Sequence, residues 1–189
     1  PRRPGWLVLL GRTARQCVGG VELGAIWCKG ADQEPDGTAD WLHRELETWL
    51  EIAAREEYGQ DWHSLSGQQQ NALQYALKTE YRTNTYDAAT STLHLSERRV
   101  EAIAETADYY GRLFSDAPEL QSTRENYAMK ENTLPSAERR ERMTEFFFWT
   151  AWAAATERPE SDVTYTQTWP PEPQRKNPTT GANMTWGME

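Results

Sequence analysis

The ten residues from Phe146 to Ala155, FFFWTAWAAA, are apolar at nearly every position. A helix with no polar face cannot lie on a protein surface; it is enclosed on all sides or pressed between two layers. The run is too short for the roughly 20 residues that cross a bilayer. It therefore marks the central core helix of a helical domain. Upstream the pattern turns amphipathic through AERRERMTE and begins behind Ser136, a good N-cap residue, with Pro135 before the cap; Pro159 sets the far limit.

Three other segments carry helical spacing. In ADWLHRELETWLEIAAREEYG, Leu42, Leu46, Trp49, Leu50 and Ala53 share one face, with Thr38 as expected N-cap and Gly59 as the residue that ends the helix. Ser66 opens GQQQNALQYALKTEYR, whose stripe is Leu73, Ala76, Leu77 and Tyr81; its many glutamines place it on the outside. Ser96 caps ERRVEAIAETADYYGRLF, and the expected apolar face is Val100, Ile103, Ala104, Ala107 and Tyr110. Between the last two, TNTYDAATSTLHL favours turns and a short strand pair. A short helix is expected from Pro118, at the first helical position behind Asp116. Beyond Pro159, the Pro-, Thr- and Asn-rich sequence reads as an irregular tail pinned at Tyr165 and Trp169.

With 189 residues, 38% of them hydrophobic, the chain can bury one core of ordinary size, so one domain with appended segments is expected. The formal net charge of -9 repels phosphate backbones, and nucleic acid is not expected as a partner. Nine tryptophans and eight tyrosines suit a domain that packs on another protein layer or near a membrane surface, and suit an ordinary core equally. PRRPGWLVLLGR has too short an apolar stretch for a signal peptide. A start without methionine and an end at MTWGME are what a fragment of a larger protein would have.

Local motifs for catalysis are missing. There is no GxSxG, the pair Gly19-Gly20 lacks the lysine of a phosphate loop, and His43, His63 and His94 form no metal-binding pattern. Cys17 and Cys28 do not have the spacing of a paired zinc site; a disulfide, a thiol redox role and two free thiols all stay open. In GADQEPD, the residues Asp32, Glu34 and Asp36 offer oxygen ligands to a hard cation such as calcium, although a plain surface loop accounts for them as well.

The strings LGAIWCKG and PDGTADWLHRE, then EYRTNTYD, YAMKENTLP, RRERMTEFFFWTAWAAATERP and VTYTQTWPPEP, taken in order, resemble the water-exposed N-terminal region of quinol-dependent nitric oxide reductases. The likeness extends from about Gly11 to Trp186. It implies a mainly α, cytochrome-c-like domain lacking haem, with helical insertions and an irregular C-terminal tail. The implied organisation is an N-terminal segment at 1–10 after a membrane helix, the domain at 11–158, and a tail at 159–189 leading to a membrane region.

In that family the whole enzyme belongs to the haem-copper oxidase superfamily. Electrons from a membrane quinol pass through haem b groups to a non-haem iron centre, where two nitric oxide molecules become nitrous oxide and water. The resemblance implies that the haem-attachment positions are Gly20, Val21, Glu22, Leu23 and Gly24 here, none of which can bind haem covalently. Leu134-Pro135 stands where related cytochromes offer an axial Met-Pro, and leucine has no donor for iron. The family's calcium takes ligands from a glycine and a tyrosine of the early loop; these positions are Gly30 and Asp32, with Lys29 weakening the site. The partners implied are the membrane region of the same polypeptide and quinol, at the periplasmic face of the inner membrane. The fragment itself is expected to be structural, without catalytic residues or cofactor of its own. The alternative is a stand-alone periplasmic binding module holding a small ligand in the vacated haem pocket, a reading that weakens if Trp27, Trp149 or Phe147 fills that space.

Overall fold

The broad apolar stripe ending at Gly59 becomes helix α1, Gly37–Tyr58, in the computed structural model, which describes residues 37–166. Trp41, Leu42, Leu46, Trp49, Leu50 and Ala53 are all buried on one side. The helix stops because Gly59 adopts φ +66°, a left-handed conformation that glycine enters without a Cβ clash, and its N–H donates to the Arg55 carbonyl at 3.0 Å. Thr38 is not the N-cap expected of it: the helix already includes Gly37, and Thr38 is enclosed within the first turn.

A single 3-10 turn, Trp62–Ser64, leads into α2, Gly67–Arg82. Ser66 caps α2 in a reciprocal box: its hydroxyl accepts from the Gln69 N–H while its own N–H donates to Gln69 Oε1 at 2.9 Å. Leu73, Leu77 and Tyr81 are buried, whereas Ala76 faces solvent because α2 covers α1 with only a narrow stripe. The expected strand pair follows as β1, Tyr86–Asp87, antiparallel to β2, Thr92–Leu93, with Tyr86 opposite Leu93. Asp87 closes the turn between them through the Ala89 N–H and the Thr90 hydroxyl.

Helix α3, Glu97–Leu113, starts at Ser96 as the sequence predicts, but it turns a different face inward. The buried positions are Arg99, Ala102, Thr106, Tyr110 and Leu113; Val100 is 52% exposed and Ala104 also faces solvent. Of the expected face only Tyr110 is fully buried, with Ile103 and Ala107 at its margin. The cause is ionic: Arg99 is drawn into the interior by a buried partner on α1, and that fixes the rotation of the helix.

After α3 a 3-10 turn at Pro118–Leu120 runs into α4, Gln121–Asn126. Proline occupies the first position as expected; the cap residue is Ala117, which offers no side-chain cap and whose N–H donates to the Ser115 hydroxyl at 3.2 Å. Arg124 of α4 is 3% exposed and donates to the carbonyls of Leu113 and Ala117. Its charge thus sits on the carbonyl end of α3, where a cation is favoured by the helix dipole.

Helix α5, Ala137–Ala155, is capped by Ser136 and holds the apolar run. It packs against both α1 and α3 and touches α2, so the three long helices enclose one core. Its burial is not complete all round: Trp149 is 37% exposed, because α1, α3 and α2 leave one sector of the helix uncovered. The helix ends at Thr156, whose hydroxyl reaches the Tyr81 carbonyl, and the next residue donates its N–H to the Arg82 carbonyl at 3.0 Å. Pro159 then disfavours helical geometry for Arg158. Glu157 bridges Thr164, and Tyr165 stacks on Trp152 at 5.4 Å while accepting from Asn84 Nδ2, so this end of the described chain is tied down at Tyr165 as expected. Trp169 lies outside the described residues.

The architecture is mainly helical, in agreement with a cytochrome-c-like helical domain. Among the described residues no helix is long and apolar enough to cross a membrane. Phe147 packs against both Trp41 and Tyr110 in the core, with ring centroids at 6.3 and 5.2 Å. Phe147→Ala is expected to cost about 3–5 kcal/mol through lost burial and the cavity left behind, read as a lowered midpoint in urea unfolding followed by circular dichroism.

Candidate functional site

Helices α1 and α3 run antiparallel, and most of the chemistry-bearing side chains lie along their seam. At its centre, Glu45 is 1% exposed and Arg99 is 3% exposed. Glu45 accepts from Trp41 Nε1 at 2.8 Å, its neighbour one helical turn earlier, and from Arg99 Nε at 3.3 Å. The Arg99 guanidinium also lies 4.0 Å over the ring of Tyr81 from α2. A buried carboxylate survives only when paired and hydrogen-bonded, and here three helices supply its surroundings.

Toward the N-terminus of α1, Asp40 accepts from the Tyr110 hydroxyl and from Arg44 Nε, the latter at 2.9 Å. Arg44 in turn covers the Tyr109 ring at 3.8 Å. Toward the other end, Glu80 of α2 accepts from Trp49 Nε1 at 3.1 Å and from the Ser96 hydroxyl at 2.6 Å, so the α3 cap is also a link to α1 and α2. Arg98 pairs with Glu56 and Glu57 at 2.7 and 2.9 Å and lies over Trp49.

Burial pushes the Tyr110 phenol well above its ordinary 10.0, and the charge of Asp40 adds to the effect. Burial does the same to Tyr81, helped by Glu45, whose carboxylate is near without completing a hydrogen bond to the phenol. Both phenols therefore keep their protons in the folded chain.

The residues that the sequence singled out fall into two groups. Gly20, Val21, Glu22, Leu23, Gly24, Gly30 and Asp32 lie outside the described residues, as do Cys17, Cys28 and Trp27. Leu134 is described: it is 1% exposed, its side chain joins the core, and its N–H donates to the Phe114 carbonyl at 3.0 Å. The histidines stay apart from one another; His43 meets Glu47 at 3.3 Å, and His63 and His94 are exposed. Among the described residues no group of three or more His, Cys, Asp or Glu side chains could hold a metal ion.

The middle of the described helices is occupied by aromatic rings. Trp41 stacks on Tyr110 at 5.3 Å and 15°, with Phe114 and Phe147 against the same tyrosine. A groove of about 670 Å³ does exist, but it is open and runs over the outer surface of α1, between Glu47, Glu51 and Arg55 and the start of α2 at Gln70 and Asn71. It is not a space vacated at the centre of the scaffold.

The seam was not anticipated from sequence. Its only local signals are the four-residue spacings Asp40 to Arg44 and Trp41 to Glu45, which also occur on ordinary helix surfaces.

The described residues thus form a helical scaffold around an aromatic centre, with Leu134 packed into its core. Residues 7–171 match the family model of the cytochrome c-like domain of the nitric oxide reductase NorB, and the chain belongs to that family. No individual curated protein matches it.

Two consequences of the seam can be measured. Arg99→Met leaves Glu45 buried without its cation and is expected to cost about 3–5 kcal/mol; adding Glu45→Gln to it is expected to restore part of the loss, as a double-mutant cycle in urea reads directly. In alkali, Tyr81 and Tyr110 ionise only as the fold opens. Because their folded values are raised, the stability they contribute is complete below pH about 10 and is lost as pH rises toward those folded values. Absorbance at the phenolate band and helicity should therefore change together in the late part of the titration.

Proposed function

We propose that this chain is the haem-free domain of a quinol-dependent nitric oxide reductase, placed at the periplasmic face of the bacterial inner membrane and structural in its own role. The family match supports nitric oxide reductase as the parent activity. The quinol-dependent type is supported by the string likeness, from LGAIWCKG to VTYTQTWPPEP. The partner is then the membrane region of the same polypeptide, with quinol, haem b and non-haem iron belonging to that region.

The observation that carries the haem-free reading is the filling of the scaffold's middle by Trp41, Tyr110, Phe147 and Leu134. A core at native density has no room for a second large planar group. The donor set does not fit a covalently held haem either: Gly20 to Gly24 contains no cysteine or histidine, and Leu134 presents hydrocarbon where an axial sulfur would stand. Gly30 and Asp32 are the candidate calcium ligands in the whole enzyme, where the hard cation would take oxygen from the Asp32 carboxylate.

The chain expressed together with a cytochrome c maturation system and ample haem is expected to purify colourless, with no Soret band and a mass equal to that of the polypeptide. One covalent haem per chain would overturn the proposal. In the parent enzyme, replacing Leu134 by methionine is expected to leave the haem content unchanged, because one axial donor without attachment cysteines creates no site.

A further inference from the structure

Tyr110 is the most enclosed phenol that makes a direct hydrogen bond to a carboxylate, and nothing in the structural role above requires that bond to be to an acid. The ring is 4% exposed and is held between Trp41, Phe114 and Phe147. Its hydroxyl donates to Asp40, whose side chain is 21% exposed and so remains in touch with water. Tyr109 meets it edge to face at 5.3 Å and extends, half-buried, toward the surface. Trp41, stacked on its other side, has its own indole N–H on a carboxylate, Glu45. Two adjoining oxidisable rings thus each have a proton acceptor already in place.

We propose that Tyr110 is a proton-coupled one-electron donor toward strong one-electron oxidants, of which nitrogen dioxide, formed where nitric oxide meets oxygen, is the relevant chemical class. In the step, the phenol gives one electron to nitrogen dioxide, which becomes nitrite. The phenolic O–H bond breaks, its proton passes along the existing hydrogen bond to the Asp40 carboxylate, and a neutral phenoxyl radical stays on Tyr110. A donor of one electron and one proton, such as ascorbate, restores the phenol, and Asp40 releases its proton to water.

The surroundings favour this site over others. Burial keeps the phenol protonated, so the electron cannot leave from a phenolate and the proton must move with it. Arg44 also donates to Asp40. An oxidised phenol is a far stronger acid than a carboxylic acid, so the transfer is downhill. The same guanidinium lies over Tyr109 and disfavours a positive hole there, which leaves that ring a conduit and not a resting place. The choice of nitrogen dioxide rests on the reading of the chain as part of a nitric oxide reductase; the proton-coupled step rests on the geometry at Tyr110.

The test is flash oxidation of the 189-residue chain with photogenerated ruthenium(III) tris-bipyridine, followed by transient absorption and by electron paramagnetic resonance after rapid freezing. A neutral tyrosyl radical is expected that is formed more slowly in deuterium oxide, loses most of its amplitude in Tyr110→Phe and is unaffected in Tyr75→Phe. Asp40→Asn, which keeps an acceptor of the same shape, is expected to slow radical formation several-fold, with folding checked by urea unfolding of each variant. A radical that disappears with Tyr75, the most exposed tyrosine at 76%, and persists without Tyr110 would overturn the proposal. So would a rate unchanged in Asp40→Asn.

Discussion

A carboxylate taken out of water must find compensation worth several kcal/mol, and Glu45 finds it from two directions at once. Trp41, one turn away on the same helix, fixes one oxygen; Arg99, from α3, fixes the other. Because Arg99 also rests on Tyr81, the charge pair determines how three helices are rotated and how far each is displaced along its axis. Apolar contacts alone would tolerate neighbouring registers. An internal ion pair with a single satisfying geometry does not, and the rest of the packing follows from it.

That dependence explains what could be read from the residues in advance. Helix ends are local events, so Ser66, Ser96 and Ser136 were legible as caps and Gly59 as a terminator: each acts through a neighbour within a few positions. The inward face of α3 was not legible. Val100 outranks Arg99 on any hydropathy scale, and only the partner 54 residues away reverses the order. Cys17, Cys28 and the early glycines lie outside the described residues, so the reading of the early loop stands on sequence.

Family membership gives these contacts a setting. On the proposed haem-free reading, a scaffold of this family needs an organising centre other than a cofactor. Here the centre is a stack of Trp41, Tyr110, Phe114 and Phe147, bordered by the Glu45 and Asp40 pairs. Aromatic rings supply the bulk, and the flanking carboxylates supply direction. The candidate site is therefore less a cleft than a seam, which is why no motif for a nucleophile, a metal ligand or a phosphate loop marks it in the sequence.

The lashing at Tyr165 has a mechanical consequence. Its ring lies flat on Trp152, its hydroxyl takes the Asn84 amide, and Glu157 ties back to the Arg82 backbone. Tension applied to the chain past Thr166 is therefore met first by this corner, in shear across a stacked pair and two hydrogen bonds that spread it over Trp152 of the core helix, Asn84 and the Arg82 backbone. A scaffold anchored in this way can be tugged by a neighbouring body without the load falling on one point, as a cable clamp spares the joint behind it.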